Sequence, residues 1–453
     1  MGGGGVSSGG VRAAGPTLTK AQQYFAFGLV TSLFFLWGFS YSLVDVLNKK
    51  VQHAFGITKL QSTAIQIAYF GAYLVYSIPA SMFASRFGYK KGVLMGLTLY
   101  VVGALLFWPT AHYEVFWPFP ICAFVIGCGL ATLETMANSY VSVLGDPKHA
   151  AFRLNFAQSF NGLATFIGPT IAAHTFFKDE NSTDLSSVQF VYLGVACLGA
   201  AVFVLFVFAK LPEIDESAIE EAQENAGFVD ERPLWKRKHT VFGFLCQWCY
   251  VGAQVTVATF VLNYLTDDGD YTDSKASQMF GYMQITFMVA RFASIPVVRF
   301  LNPAIAVTIY GTVCTAFSLM AALTGGKPGL AALFIIFVGE SIVYPTVFTL
   351  ATANLGKHTK RGAGLLCMGV AGGAMFPPIQ GKVADAANSR ISYLVPTGGF
   401  SVIVVYGVCM YFYGRRIEHL TSGNVAGVEG GIQRNESLDK VEKEEVEAIE
   451  QRY

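Results

Sequence analysis

The chain has 453 residues, of which 53% are hydrophobic and only 13% charged, with a net charge of +1. A water-soluble domain carries roughly 25% charged residues, so the deficit excludes an ordinary soluble enzyme and indicates a polytopic membrane protein. The balanced charge gives no footing for a nucleic-acid partner.

Residues 1–20 are Gly-rich and lack an apolar run, so no cleaved signal peptide is expected. Val6 stands where a myristoylation signal needs Ser or Thr. Twelve apolar segments of spanning length follow, at 22–47, 60–84, 90–109, 116–144, 153–176, 188–210, 239–265, 275–298, 303–324, 329–354, 362–386 and 392–414. The expected fold is therefore all-α, with twelve transmembrane helices in two six-helix pseudo-symmetric bundles. The organisation reads as a disordered cytoplasmic tail over 1–20, a first bundle over 21–210, and a cytoplasmic loop over 211–238. A second bundle over 239–416 and a polar cytoplasmic tail over 417–453 complete it. Cys246 and Cys249 form a CxxC, but no second Cys pair or His cluster accompanies it, so two small residues in an apolar run is the reading.

Lys and Arg near the span ends set the orientation. With the N-terminus inside, Arg86, Lys90, Lys91, Lys148, Arg153, Lys236, Arg237, Lys238, Lys357, Lys360, Arg361, Arg415 and Arg416 are all cytoplasmic. Fewer basic residues face out, among them Lys178, Lys275, Lys327 and Arg390. The sequon at Asn181 then falls outside, where it could be glycosylated. The halves echo each other: after span 4 come LG, Arg153 and Pro169, and after span 10 come LG, Arg361 and Pro377 at the same interval. That phase fits two bundles related as a parallel repeat.

Polar residues inside spans are costly, so each is a candidate site. Asp45, near the outer end of span 1, either forms a surface pair with Lys49 or faces a cavity, where it would load and release a proton. Glu134 and Asn138 share one face of span 4, and Gln158 and Asn161 share one face of span 5. Amides both donate and accept, which suits hydroxyl groups; the alternative is glue between helices. Span 7 offers Tyr250, Gln254 and Asn263. Arg291 and Glu340 are the remaining mid-span charges, and they either pair or leave Arg291 reaching for the span end. No P-loop, GxSxG, HExxH or metal-spaced His cluster appears, so an enzyme is not expected, and uphill transport would draw on an ion gradient.

Twelve spans, the central loop and ASRFGYKKG at 84–92 resemble the major facilitator superfamily, although Ser85 stands where its loop carries an acid before the Arg. Within it, the chain resembles the L-fucose–proton symporter family. The resemblance rests on LFFLWG (33–38), Asp45, ALLFWP (104–109), LETMAN (133–138), FRLNFAQSFN (152–161), YVGAQ (250–254) and YPTVFTLATANLG (344–356). It implies proton coupling through Asp45 and Glu134. It also implies a sugar cavity lined by Trp37, Ser42, Glu134, Asn138, Gln158, Asn161, Tyr250 and Gln254. Arg86, Arg153, Arg291, Glu340 and Arg361 would serve gating or structure. Three departures stand out: Ser42 replaces an Asn beside the sugar, Ser139 a Pro, and Glu340 an apolar residue.

The expectation is a proton-coupled monosaccharide symporter working by alternating access, with L-fucose, glucose or galactose as substrate. The proton is the coupling ion and no cofactor is needed. A monomer in the plasma membrane, with both termini cytoplasmic, completes it. A non-transporting sugar sensor would want a long structured extension, and a proton-coupled exporter of another small solute would want a less amide-rich cavity. The acid and amides are concentrated in the first half, so that half is expected to carry most of the sugar and proton chemistry.

Overall fold

The computed structural model describes residues 19–57, 59–145, 149–175, 185–212, 232–268 and 271–414, with side chains except at 44–46, 48–50, 52–53, 59–63, 168–175, 268, 273–274 and 277. No strand occurs among the described residues. The first six helices are α1 Lys20–Phe55, α2 Lys59–Phe87, α3 Tyr89–His112, α4 Pro118–Val143, α5 Ala150–Thr175 and α6 Ser186–Phe208. The second six are α7 Lys238–Asp268, α8 Asp273–Ala293, α9 Pro303–Leu323, α10 Gly326–Ala351, α11 Gly356–Ala386 and α12 Ile391–Gly414. Residues 1–18 and 417–453 of the expected tails and most of the central loop lie outside the described residues, while Thr19 and Lys20, counted in the first tail, cap and begin α1.

Local chemistry sets the helix ends. Thr19 and Gln22 form a capping box at the start of α1, and Gly56, at φ 58°, ends that helix in the left-handed region. Asn302 caps α9 and Pro303 occupies its first turn, where no N–H is needed. Eleven stretches among the described residues are long and apolar enough to cross a bilayer. The other long helix, α5, has 26 residues; it carries Arg153, Asn155, Gln158 and Asn161, which lower its apolarity. Large apolar side chains such as Val75, Met82, Phe190, Leu205, Val289 and Val405 face outward. The mid-span charged and amide groups Glu134, Asn138, Gln158, Asn161, Arg291 and Glu340 are buried inside. This arrangement suits hydrocarbon as the surrounding solvent.

Packing repeats between the halves. In the first, α1 lies on α5 while α2 and α3 pack on α4; in the second, α7 lies on α11 while α8 and α9 pack on α10. Two glycines make the matching contacts. A Cβ at Gly38 of α1 would strike the Asn161 carbonyl of α5, and one at Gly372 of α11 would strike the Trp248 carbonyl of α7.

Three helices in the second half are interrupted. Helix α8 breaks at Ser294 and continues as Ile295–Phe300. A 3-10 turn at Gly369–Ala371 interrupts α11, and another at Glu340–Ile342 interrupts α10. The α10 break follows from Pro345, which has no N–H to offer the Ser341 carbonyl four residues earlier. That freed carbonyl becomes part of the site.

Candidate functional site

The basic residues gather at one end of the bundle, and several of them close helix C-termini there. Arg153 donates to the Val141 and Ser142 carbonyls at the end of α4, at 3.2 and 3.1 Å. Lys90 donates to Val207 and Ala209 at the end of α6, both at 2.9 Å. A cation is favourable against the negative end of a helix dipole. Arg86 and Arg361 are exposed at this same end.

The two halves meet from the middle of the bundle toward the basic end. Gly364 of α11 lies against α2, where a Cβ would stand 2.5 Å from Ser81 Oγ and 2.8 Å from the Ser77 carbonyl. Asn155 Nδ2 donates to Thr346 Oγ1 at 3.1 Å. Lys360 sits over the Tyr89 ring at 4.5 Å, and Arg299 over Phe152 at 5.8 Å. Phe160 meets Phe292 edge-on at 6.0 Å.

At the centre, four of the expected groups form one connected run. Gln158 Nε2 donates to Asn138 Oδ1 at 3.0 Å. Asn138 Nδ2 donates to Glu134 Oε1 at 3.5 Å and lies 3.6 Å from Cys367 Sγ of the other half. The Glu134 Oε2 atom is buried without a hydrogen bond of ordinary geometry. The phenols of Tyr344 and Tyr73 lie against this carboxyl, and Trp37 Nε1 donates to Tyr73 Oη. Trp37 is half-buried and stacks on Tyr41 at 5.5 Å. An indole face beside a run of amides and an acid offers what a sugar ring needs: apolar surface for its C–H groups and donor–acceptor pairs for its hydroxyls.

Arg291 reaches into this run from α8. Its Nε donates to the Ser341 carbonyl freed by Pro345, at 3.0 Å. Its Nη1 crosses to the first half and donates to the Gln158 carbonyl at 3.1 Å and to Asn161 Oδ1 at 3.3 Å. Helix α5 lies close along this side chain: a Cβ at Gly162 would stand 3.6 Å from Arg291 Cδ, in ordinary van der Waals contact. Asn161 Nδ2 in turn donates to the Phe34 carbonyl of α1 at 3.4 Å. Among the described residues Arg291 makes no ion pair with Glu340, and it does not run to the span end. One of its hydrogen bonds stays on Ser341 of its own half and two cross to the opposite half, an arrangement that neither alternative raised from the sequence describes.

Other expected residues fall differently. Tyr250 is fully buried, and its hydroxyl donates to the Glu340 carbonyl at 2.8 Å, bracing the α10 break. Ser42 Oγ donates to Phe39 of its own helix at 2.9 Å. Gln254 is half-buried, with its amide against the Glu340 carboxyl. Asp45 lies in α1, but its side chain is outside the described residues, as is Asn181. Sequence reasoning passed over Tyr73, Asn155 and Cys367 as site groups. Asn155 sits inside the quoted FRLNFAQSFN block, so a signal for it was present; Tyr73 and Cys367 had none beyond being polar within apolar runs.

A model of the Major Facilitator Superfamily matches residues 25–378. The chain belongs to the major facilitator superfamily. Among the relatives of this superfamily member, a glucose/galactose transporter of Brucella abortus biovar 1 (strain 9-941) is 33% identical over 402 residues, covering 86% of this chain and 96% of the relative. The L-fucose-proton symporter of Escherichia coli (strain K12) is 32% identical over 402 residues, covering 84% of this chain and 92% of the relative. The fold matches the superfamily transporter FucP, solved in the outward conformation, with a TM-score of 0.75 and 30% identity over 86% of this chain and 99% of that one. The proton:xylose symporter XylE shares the fold at a TM-score of 0.71 and 10% identity, over 88% of this chain and 97% of that one. The chain is an integral membrane transporter, not an enzyme.

Proposed function

We propose that this transporter carries a monosaccharide together with protons, and that the Glu134–Asn138–Gln158 run is where sugar and proton meet. The observation that carries the reading is that run itself: a buried acid, two amides and flanking phenols at the seam between the halves, in a chain similar to sugar transporters. Glu134, Asn138, Gln158 and Asn161 hold the hydroxyls, Trp37 lies under the ring, and Gln254 approaches from the second half. From the sequence alone, Asp45 is assigned to load the single proton that Glu134 holds at the sugar site. Ser42, turned onto its own helix, gives the cavity no amide, so glucose and galactose stand beside L-fucose as candidates.

The basic end is cytoplasmic by the positive-inside rule, which puts both termini inside. With the halves in contact at that end, sugar and proton enter from the opposite side. A proton drives accumulation only if the loaded and empty carriers differ in their conformational preference. Protonating Glu134 supplies such a difference, because an unpaired carboxylate is costly to enclose as the cavity closes around it. Release at the basic end then resets the carrier. The chain works as a monomer in the plasma membrane, with the proton as its coupling ion and no cofactor.

The test is a panel of D-glucose, D-galactose, L-fucose and other monosaccharides added to weakly buffered cells expressing the protein. Sugar-dependent alkalinisation of the medium together with label uptake is the expected result. Uptake without alkalinisation removes proton coupling. Sugar binding without uptake makes the protein a sensor, and efflux of a non-sugar solute makes it an exporter.

A further inference from the structure

Each half places a buried acid in its fourth helix, Glu134 in α4 and Glu340 in α10, and Arg291 lies between them. Glu340 is 1% exposed, and its Oε1 has no hydrogen-bond partner. It sits on the 3-10 turn opened by Pro345. The groups facing it come from four helices of its half: Tyr250 and Gln254 of α7, Arg291 of α8, Cys314 of α9 and Tyr393 of α12. Arg291 is the cation of this set, and in this conformation it is turned to Gln158 and Asn161 of the other half. A carboxylate enclosed this way, without an ion pair, is costly; a neutral carboxylic acid is not.

We propose that Glu340 is a second proton-carrying site of the transport cycle, loaded in the conformation described above and discharged by Arg291 when the halves part at the basic end. The half-buried Gln254 amide against the carboxyl gives the proton its route from the cavity. Parting the halves removes both Nη1 partners of Arg291. Its Nε stays on Ser341, the residue next to Glu340, so the guanidinium pivots onto an acid of its own half, while Glu134 leaves with the other half. The O–H bond of Glu340 breaks, the proton passes to water at the opened end, and a guanidinium–carboxylate pair forms. Closing the basic end returns Arg291 to Gln158 and Asn161, and Glu340 must take up a proton again. Each turn of the cycle then moves one proton through Glu340 in addition to the one coupled at the sugar site.

This inference rests on the proton-coupled reading above, and stoichiometry separates the two. Purified protein is reconstituted in liposomes with the membrane potential clamped at zero by valinomycin and potassium. The sugar gradient that just cancels net flux is measured against the pH gradient, using whichever of D-glucose, D-galactose and L-fucose the panel shows to be carried. Each coupled proton balances an about tenfold sugar gradient per pH unit. We expect about hundredfold per unit for wild type and about tenfold for Glu340→Gln. Glu340→Met, of similar volume without polar atoms, is the second neutral variant, and size-exclusion profiles check that each is folded. A tenfold wild-type slope overturns the proposal and leaves symport intact. An unchanged hundredfold slope in a neutral variant overturns the assignment to Glu340. No dependence on the pH gradient overturns both this inference and the symport reading. If neither variant is monodisperse, the wild-type slope decides.

Discussion

Arg291 should hold the basic end shut, and replacing it with Lys tests this without removing the charge from between Glu134 and Glu340. The guanidinium has one bond inside its own half, to Ser341, and two that cross to Gln158 and Asn161 at 3.1 and 3.3 Å. A hydrogen bond to a charged group contributes roughly 1.5–3 kcal/mol net. The crossing pair is at the long end of the range, so its joint contribution to the closed arrangement is roughly 2–4 kcal/mol. An ammonium is a compact point charge that cannot fork between Ser341 on one side and Gln158 with Asn161 on the other. Losing the crossing pair lowers the closed population relative to the open one by about 30- to 700-fold. Spin labels on Cys at Lys91 and Lys357, exposed at the basic end of the two halves, report the spacing by pulsed electron resonance. Wild type should give a short distance, and Arg291→Lys a mixture with a longer one. If the two distributions coincide, the crossing bonds do not hold the halves together and the latch is wrong.

Further expectations follow from the other elements of the site. Asp45→Asn should retain sugar exchange at equal pH but lose the proton of the sugar site, so that accumulation falls by about tenfold per pH unit; accumulation like wild type removes Asp45 from coupling. Gly38→Ala drives a methyl group into the Asn161 carbonyl, and overpacking of this kind costs roughly 1–3 kcal/mol. Calorimetry should show sugar affinity weakened by about 5- to 150-fold, and unchanged affinity would show that α1 and α5 can shift apart without disturbing the amides. Tyr250→Phe removes the bond to the Glu340 carbonyl and should lower stability by about 1 kcal/mol, seen as the same drop in melting temperature with and without sugar. A drop that appears only with sugar would return Tyr250 to the sugar site.

The helices were legible because hydrocarbon demands long apolar runs, and the span limits read from the sequence fall within a few residues of most helix ends. Helix α1 runs on to Phe55, past the expected limit at 47, because its last turns are polar and leave no hydropathy signal. Interruptions were less legible. Pro345 was in view, but a proline inside an apolar run marks a kink without saying which group will take the freed carbonyl. The Glu134, Asn138, Gln158 and Asn161 faces were readable from helical spacing, since partners on one helix are fixed by the period. Arg291 was not, because its partners lie on α5 and α10, and nothing in local spacing brings Gln158 near residue 291. Tyr73 and Tyr344 are two among 21 tyrosines; only packing against the Glu134 carboxyl sets them apart.

The division of labour between the halves also changes once Arg291 is placed. The sequence put the acid and amides in the first half and left the second mainly to move against it. The second half in fact supplies Arg291, Tyr344 and Cys367 to the same run, so the seam passes through the site and not beside it. This matters for coupling. A site wholly within one half would keep its contacts as the halves rock, and binding there would give no differential free energy between the two conformations. A site crossed by the seam must lose some contacts in one conformation, so what occupies it biases the equilibrium. On the proposed reading, proton and sugar at Glu134, Asn138 and Gln158 meet the groups that Arg291 and Tyr344 approach from the other side, and their arrival would act on the contacts that hold the basic end closed.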